Sequence, residues 1–171
     1  LRHRYVANEL AQRINLVGII SETKSQIAGS VAPLPAAEQE VIERHFAERN
    51  EVERCLLGAV QGFPETELVR LSNEGINCGT TLAWLQALNP DIVMLYGSSI
   101  IKPPLLDFYS DRMINLHLGL SPYYRGSGTN FWPLVYGEPE CVGATIHLAV
   151  QRVDAAAILA QVRPAGEGAD R

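Results

Sequence analysis

Residues 113–139 read MINLHLGLSPYYRGSGTNFWPLVYGEP, and the start of that stretch decides the fold. An apolar run carries an Asn and a His on alternate residues, and the two-residue period of a strand points Asn115 and His117 to the same face. The glycine-rich residues that follow read as a loop running into a helix. A polar pair therefore sits where a strand opens into a turn, which is where ligands bind in parallel α/β sheets.

Outward from this stretch, helix and strand patterns alternate. LRHRYVANELAQRI puts Tyr5, Leu10 and Ile14 on a rough helical stripe, and INLVGIISET is an apolar, β-branched run suited to a buried parallel strand. Residues 24–35 read as a loop, and residues 36–57 as a long amphipathic helix with a solvated charged face. CGTTLAWLQALNP is a helix that stops near Asn89, because Pro90 disfavours helical backbone in the residue before it. The order is completed by the strand DIVMLYG, a loop and short helix in SSIIKPPLLDFYS, the strand RMINLH, a helix within SGTNFWPLVYGE, and the strands CVGATIHLAV and AILAQVRP. The expected fold class is α/β, a doubly wound, largely parallel sheet. Pro133 is expected to shorten or kink its helix. Trp84, Phe131 and Trp132 read as core residues, and Cys55, Cys78 and Cys141 as small buried hydrophobes. His147, on an apolar strand, reads as a structural residue or as one that supports the site residues from behind.

Composition narrows the function. A chain of 171 residues, 47% of them hydrophobic, suffices for one sizeable core and is simplest as one domain. The formal charge of -5 gives no general attraction to polyphosphate, so bulk nucleic-acid binding is not expected. The apolar runs fall short of the roughly 20 residues that span a bilayer, so no membrane association is expected. The cysteines form no CxxC pair and signal neither a disulfide framework nor a zinc site; a reducing cytoplasm is the expected compartment.

From Ile114 onward, INLHLGLSPYYRGSGTNFWPLVYGEPECVGATIHLAVQRVDAAAILAQ resembles the catalytic half of the folate-dependent formyltransferases, the group containing glycinamide ribonucleotide, methionyl-tRNA and sugar-nucleotide N-formyltransferases. The resemblance rests on an ordered series: Asn115 and His117, then Pro122, Tyr124, Arg125 and Gly126, then Gly137 and Glu138, Gly143, Thr145 and His147, and Asp154. It implies a Rossmann-like formyltransferase fold. Because that family begins with a strand and continues past the last one seen here, it also implies that residues 1–171 form a single formyltransferase-like domain lacking its first strand and truncated at both ends.

The implied activity is transfer of a formyl group from 10-formyltetrahydrofolate to the amine of a small-molecule acceptor, an amino sugar nucleotide or similar, without a metal. Attack of an amine on a formyl carbon develops an oxyanion and an ammonium, so the site must donate hydrogen bonds and move a proton. Asn115 is suited to the first task, His117 to both, and Asp154 to holding the imidazole or an ordered water. The resemblance further implies a pterin site along the backbone of Tyr96, Gly97, Ser98 and Ile100, with Val153, and places Tyr124 and Arg125 near the acceptor. Arg2 and His3 open the first helix, where unpaired N–H groups favour an anion, and are assigned to the acceptor's phosphate. Leu118 and Gly119 depart from the family's residues after the His, and Ala156 stands where Gly is expected. A 10-formyltetrahydrofolate hydrolase and a non-catalytic folate- or partner-binding relative remain as alternatives.

Overall fold

The computed structural model describes residues 1–23, 35–58, 60, 62–72, 75–151 and 157–165. Helix and strand alternate, every element but β2 being one the sequence pattern predicts: α1 (Arg2–Ala11), β1 (Gly18–Glu22), α2 (Ala36–Leu57), β2 (Glu67–Leu71), α3 (Gly79–Leu88), β3 (Val93–Tyr96), α4 (Leu105–Phe108), β4 (Met113–His117), α5 (Trp132–Tyr136), β5 (Ala144–Leu148) and β6 (Ile158–Val162). Two compact units result, Leu1–Asn73 and Glu74–Arg171. Among the described residues no helix is long and apolar enough to cross a membrane.

In the first unit β1 and β2 pair in parallel, with Gly18 opposite Glu67 and Glu22 opposite Leu71. The β2 segment, ELVRL, has too short an alternation to announce itself as a strand; its pairing with β1 is what orders it. Thr66 ties the approach to β2 back to the Leu16 carbonyl at 2.8 Å. Helices α1 and α2 are joined at Glu53, whose carboxylate meets the Arg2 guanidinium and lies 3.7 Å from Arg49. Burial alone would raise this carboxyl, but the hydrogen bond and charge of Arg2, with the charge of Arg49, hold it below the usual carboxylate range.

The second unit is a four-stranded sheet in the order β3-β4-β5-β6. Strands β3 and β4 are parallel, as the intervening α4 crossover requires, whereas β4–β5 and β5–β6 are antiparallel. The β5–β6 ladder shifts register between Ile146 and His147, a bulge. In this unit Ile76, Leu85, Leu105, Leu106, Tyr109 and, within β4 itself, Met113 are buried, with Met113 fully inaccessible.

Several residue-level expectations change here. Pro133 lies in the first turn of α5, where its missing N–H removes no helical hydrogen bond, so it starts the helix instead of bending it. Pro133 also takes the buried position of that short helix, which turns its neighbours outward: Phe131 and Trp132, expected in the core, are 55% and 44% exposed. Trp132 instead stacks on Tyr136, ring centroids 5.9 Å apart. Cys55 and Cys78 are exposed and Cys141 half-buried, not core residues. Cys78 occupies the N-cap of α3, and hydrogen bonds to the hydroxyls of Thr80 and Thr81 (2.9 and 3.1 Å) draw its thiol down to about 7.

Helix α3 ends as its sequence requires. Asn89 adopts the left-handed conformation, φ 47°, and its N–H closes onto the Leu85 carbonyl. Asn tolerates that region because its side chain bonds locally, whereas a β-branched residue is strained there. Urea unfolding should show Asn89→Gly at least as stable as the parent and Asn89→Val weaker by about 1–2 kcal/mol.

Candidate active site

Strand β4 delivers Asn115 and His117 to one face, as alternation demands, and the antiparallel partner β5 sets His147 opposite Asn115 and Thr145 opposite His117. Four polar side chains thus form a compact block across two strands. Asn115 is half-buried, while His117, Thr145 and His147 are all buried. The imidazoles meet edge to face with centroids 6.3 Å apart.

Main-chain carbonyls settle where each ring carries its proton, since a carbonyl can only accept. His147 lies with Nδ1 2.7 Å from the Leu148 oxygen, so Nδ1–H is the donor; Nε2, with its lone pair, then accepts from the Asn115 amide nitrogen at 3.2 Å. His117 is arranged the other way. Its Nε2–H donates to the Tyr124 carbonyl at 3.0 Å, so Nδ1 is the atom at which a neutral His117 gains a proton.

The loop after β4 is built to hold that arrangement. The Thr145 hydroxyl donates to the Gly119 carbonyl at 2.7 Å and accepts the Ser121 N–H at 3.0 Å, while Gln161 of β6 donates to the Ser121 carbonyl at 2.7 Å. Thr129 donates to the Leu118 carbonyl, and the Tyr124 N–H returns to the Leu120 oxygen at 3.0 Å. Gly119 is required by space: a Cβ there would stand 2.6 Å from the Thr129 Cβ and 2.7 Å from His117 Nε2. The Tyr124 hydroxyl donates to Glu138, and that bond, with burial and the carboxylate charge, pushes the phenol up to about 12.

The remaining expected site residues fall as follows. Because β3 and β4 run parallel, Tyr96 at the end of β3 and His117 at the end of β4 share one sheet edge. Gly97 turns there with φ 60°. Ile100 is 62% exposed, and the segment is pinned by Asn77, which donates to the Ile100 carbonyl at 2.9 Å and accepts the Lys102 N–H at 2.8 Å. Ser98 and Arg125 are exposed. Arg2 and His3 belong to the first unit, where Arg2 is engaged by Glu53. Asp154 and Val153, with Ala156, lie outside the described residues. Asn77 and Gln161 escape sequence reading, which marks Gly119 only as a departure from the family and Thr145 only as a member of the motif series. For Thr145 and His147 the period-two match with Asn115 and His117 was the available signal.

An α/β sheet with a polar block at the carboxyl edge of its parallel strands defines a class of ligand-binding folds. The formyl transferase family model matches residues 12–165, and the chain belongs to that family. Among solved structures, phosphoribosylglycinamide formyltransferase from Bacillus halodurans superposes with a TM-score of 0.59 at 19% identity, over 99% of this chain and 76% of that one. Glycinamide ribonucleotide transformylase 1 from Symbiobacterium toebii superposes with a TM-score of 0.50 at 24% identity, over 57% of this chain and 48% of that one. Phosphoribosylglycinamide formyltransferase from Anaplasma phagocytophilum gives 0.52 at 22% identity, with 57% and 48% covered. The chain spans about half the length of the latter two enzymes. These likenesses concern the fold.

Substitutions at two positions test the loop. Gly119→Ala should destabilise the protein by about 1–3 kcal/mol through overpacking against Thr129 and the His117 ring, read by urea denaturation. Thr145→Val keeps the volume but strands buried main-chain groups, and should lower stability by about 1–3 kcal/mol, whereas Thr145→Ser should retain most of it.

Proposed function

We propose that the protein transfers a formyl group from 10-formyltetrahydrofolate to the amine of a small-molecule acceptor, an amino sugar nucleotide or similar. The observation that supports this most directly is the block of Asn115, His117 and His147 on one face of β4 and β5, in a chain of the formyl transferase family. The fit to a folate donor rests on the neighbouring edge. Residues 97–100 form a turn that Asn77 holds in place, offering backbone donors and acceptors to a flat heterocycle beside β4. Bound there, the donor supplies the formyl group.

The protein's own groups then have distinct tasks. The Asn115 amide nitrogen is a neutral donor for a formyl oxygen that gains charge. His117, anchored through Nε2 to the Tyr124 carbonyl, exchanges a proton with the attacking amine at Nδ1, and Asp154 is the acid assigned to assist it. Arg125, exposed on the loop, is the cation we assign to an acidic acceptor. Charge reversal at Arg2 is a poor probe of acceptor binding, because it also breaks the ion pair to Glu53.

The test is turnover by the full-length protein with 10-formyltetrahydrofolate and a panel of amino sugar nucleotides and other small amines. Formylated amine supports the proposal; formate released without an amine would assign a hydrolase; failure to bind folate would leave a non-catalytic relative. His117→Ala should lower kcat by at least about two orders of magnitude with folate affinity unchanged. Normal turnover by that variant would move the proton work to another group.

A further inference from the structure

Resting on the formyl-transfer reading, we propose that His147 is a positioning residue that sets the sense of the Asn115 amide. An Asn side chain is nearly symmetric in shape, and its two ends differ only in what they can bond: the nitrogen donates and the oxygen accepts. Something must therefore decide which end lies where. Packing cannot do so, but a neighbour with a fixed lone pair can.

His147 is such a neighbour. Its ring is 3% exposed, and its Nδ1–H is held 2.7 Å from the Leu148 carbonyl, an oxygen in its own strand. With that proton committed, Nε2 carries a lone pair and faces the Asn115 nitrogen at 3.2 Å. A flipped amide would set its oxygen against that lone pair, two acceptors with no proton between them. The cross-strand register, which puts Asn115 directly opposite His147, supplies the short span the bond needs. One amide N–H is directed at the ring, and this fixes which end of the Asn115 side chain, nitrogen or oxygen, lies where a formyl oxygen would meet it. Preorganised donors of this kind lower a barrier because they need no reorientation as charge develops.

The inference predicts that His147→Leu lowers kcat on the order of tenfold to a hundredfold, no more than loss of an oxyanion donor itself, with KM for donor and acceptor unchanged. His147→Gln, whose side-chain oxygen can accept the same N–H, should recover most of that loss. In an Asn115→Ala background, His147→Leu should have no further effect on kcat, because both act through one bond. Additive losses in that cycle, or a loss confined to KM, would overturn the proposal. A second measurement does not depend on turnover. Long-range proton–nitrogen NMR of the full-length protein should show His147 protonated at Nδ1 and unprotonated at Nε2, with the Asn115 side-chain amide resonance shifting in His147→Gln. An Nε2-protonated ring, or an unshifted amide, would overturn it. If the wild-type protein formylates no amine, the functional reading fails, and the NMR result still decides the His147–Asn115 linkage.

Discussion

One buried hydroxyl organises the end of the sheet. Thr145 is completely inaccessible, and its oxygen uses everything it has: its proton goes to the Gly119 carbonyl, and its lone pairs accept from the Ser121 N–H and, at 3.2 Å, from Gln161. In a water-excluded setting a satisfied hydroxyl strengthens its bonds, while an unsatisfied one is costly. Loop, β5 and β6 therefore share one node. Gly119, fixed by it, comes to rest against the His117 ring with no room for a Cβ. The position of the imidazole is thus inherited from a threonine on the next strand.

The two buried histidines show how main chain can assign chemistry to side chains of one type. Each gives a proton to a carbonyl, but through different nitrogens, so His117 is left basic at Nδ1 and His147 at Nε2. The carbonyls come from places with different freedom. That of Leu148 belongs to β5 itself, whereas that of Tyr124 belongs to the loop, where the tyrosine's own hydroxyl is tied to Glu138. His147 is held by the sheet, and His117 by a loop that the sheet in turn holds.

What could be read beforehand followed local rules. The ends of α2, the stop at Asn89 before Pro90 and the common face of Asn115 and His117 all depend on residues near in sequence, and those features appear as expected. What could not be read depends on distant partners. Strand β2 is ordered by β1, Asn77 acts on backbone some 23 residues further on, and Gln161 acts on a loop 40 residues earlier. Nothing in those local stretches advertises the bond. Phe131, Trp132 and Cys78 show a different limit: average residue behaviour favours burial, but Pro133 occupied the inward position of α5, and Cys78 landed on a helix N-cap.

The polar block also has a discrete character. Its four side chains face one another only because Asn115 meets His147 and His117 meets Thr145; sliding β5 by a single residue would send two of the four to the opposite face. The arrangement has no half-formed version reachable by small distortion. The bulge between Ile146 and His147 marks β5 further, since it fits β6 at one place along the ladder. Damage to the sheet in this protein should therefore be counted in molecules and not in rates: a stressed preparation would hold fewer competent sites, each as capable as before.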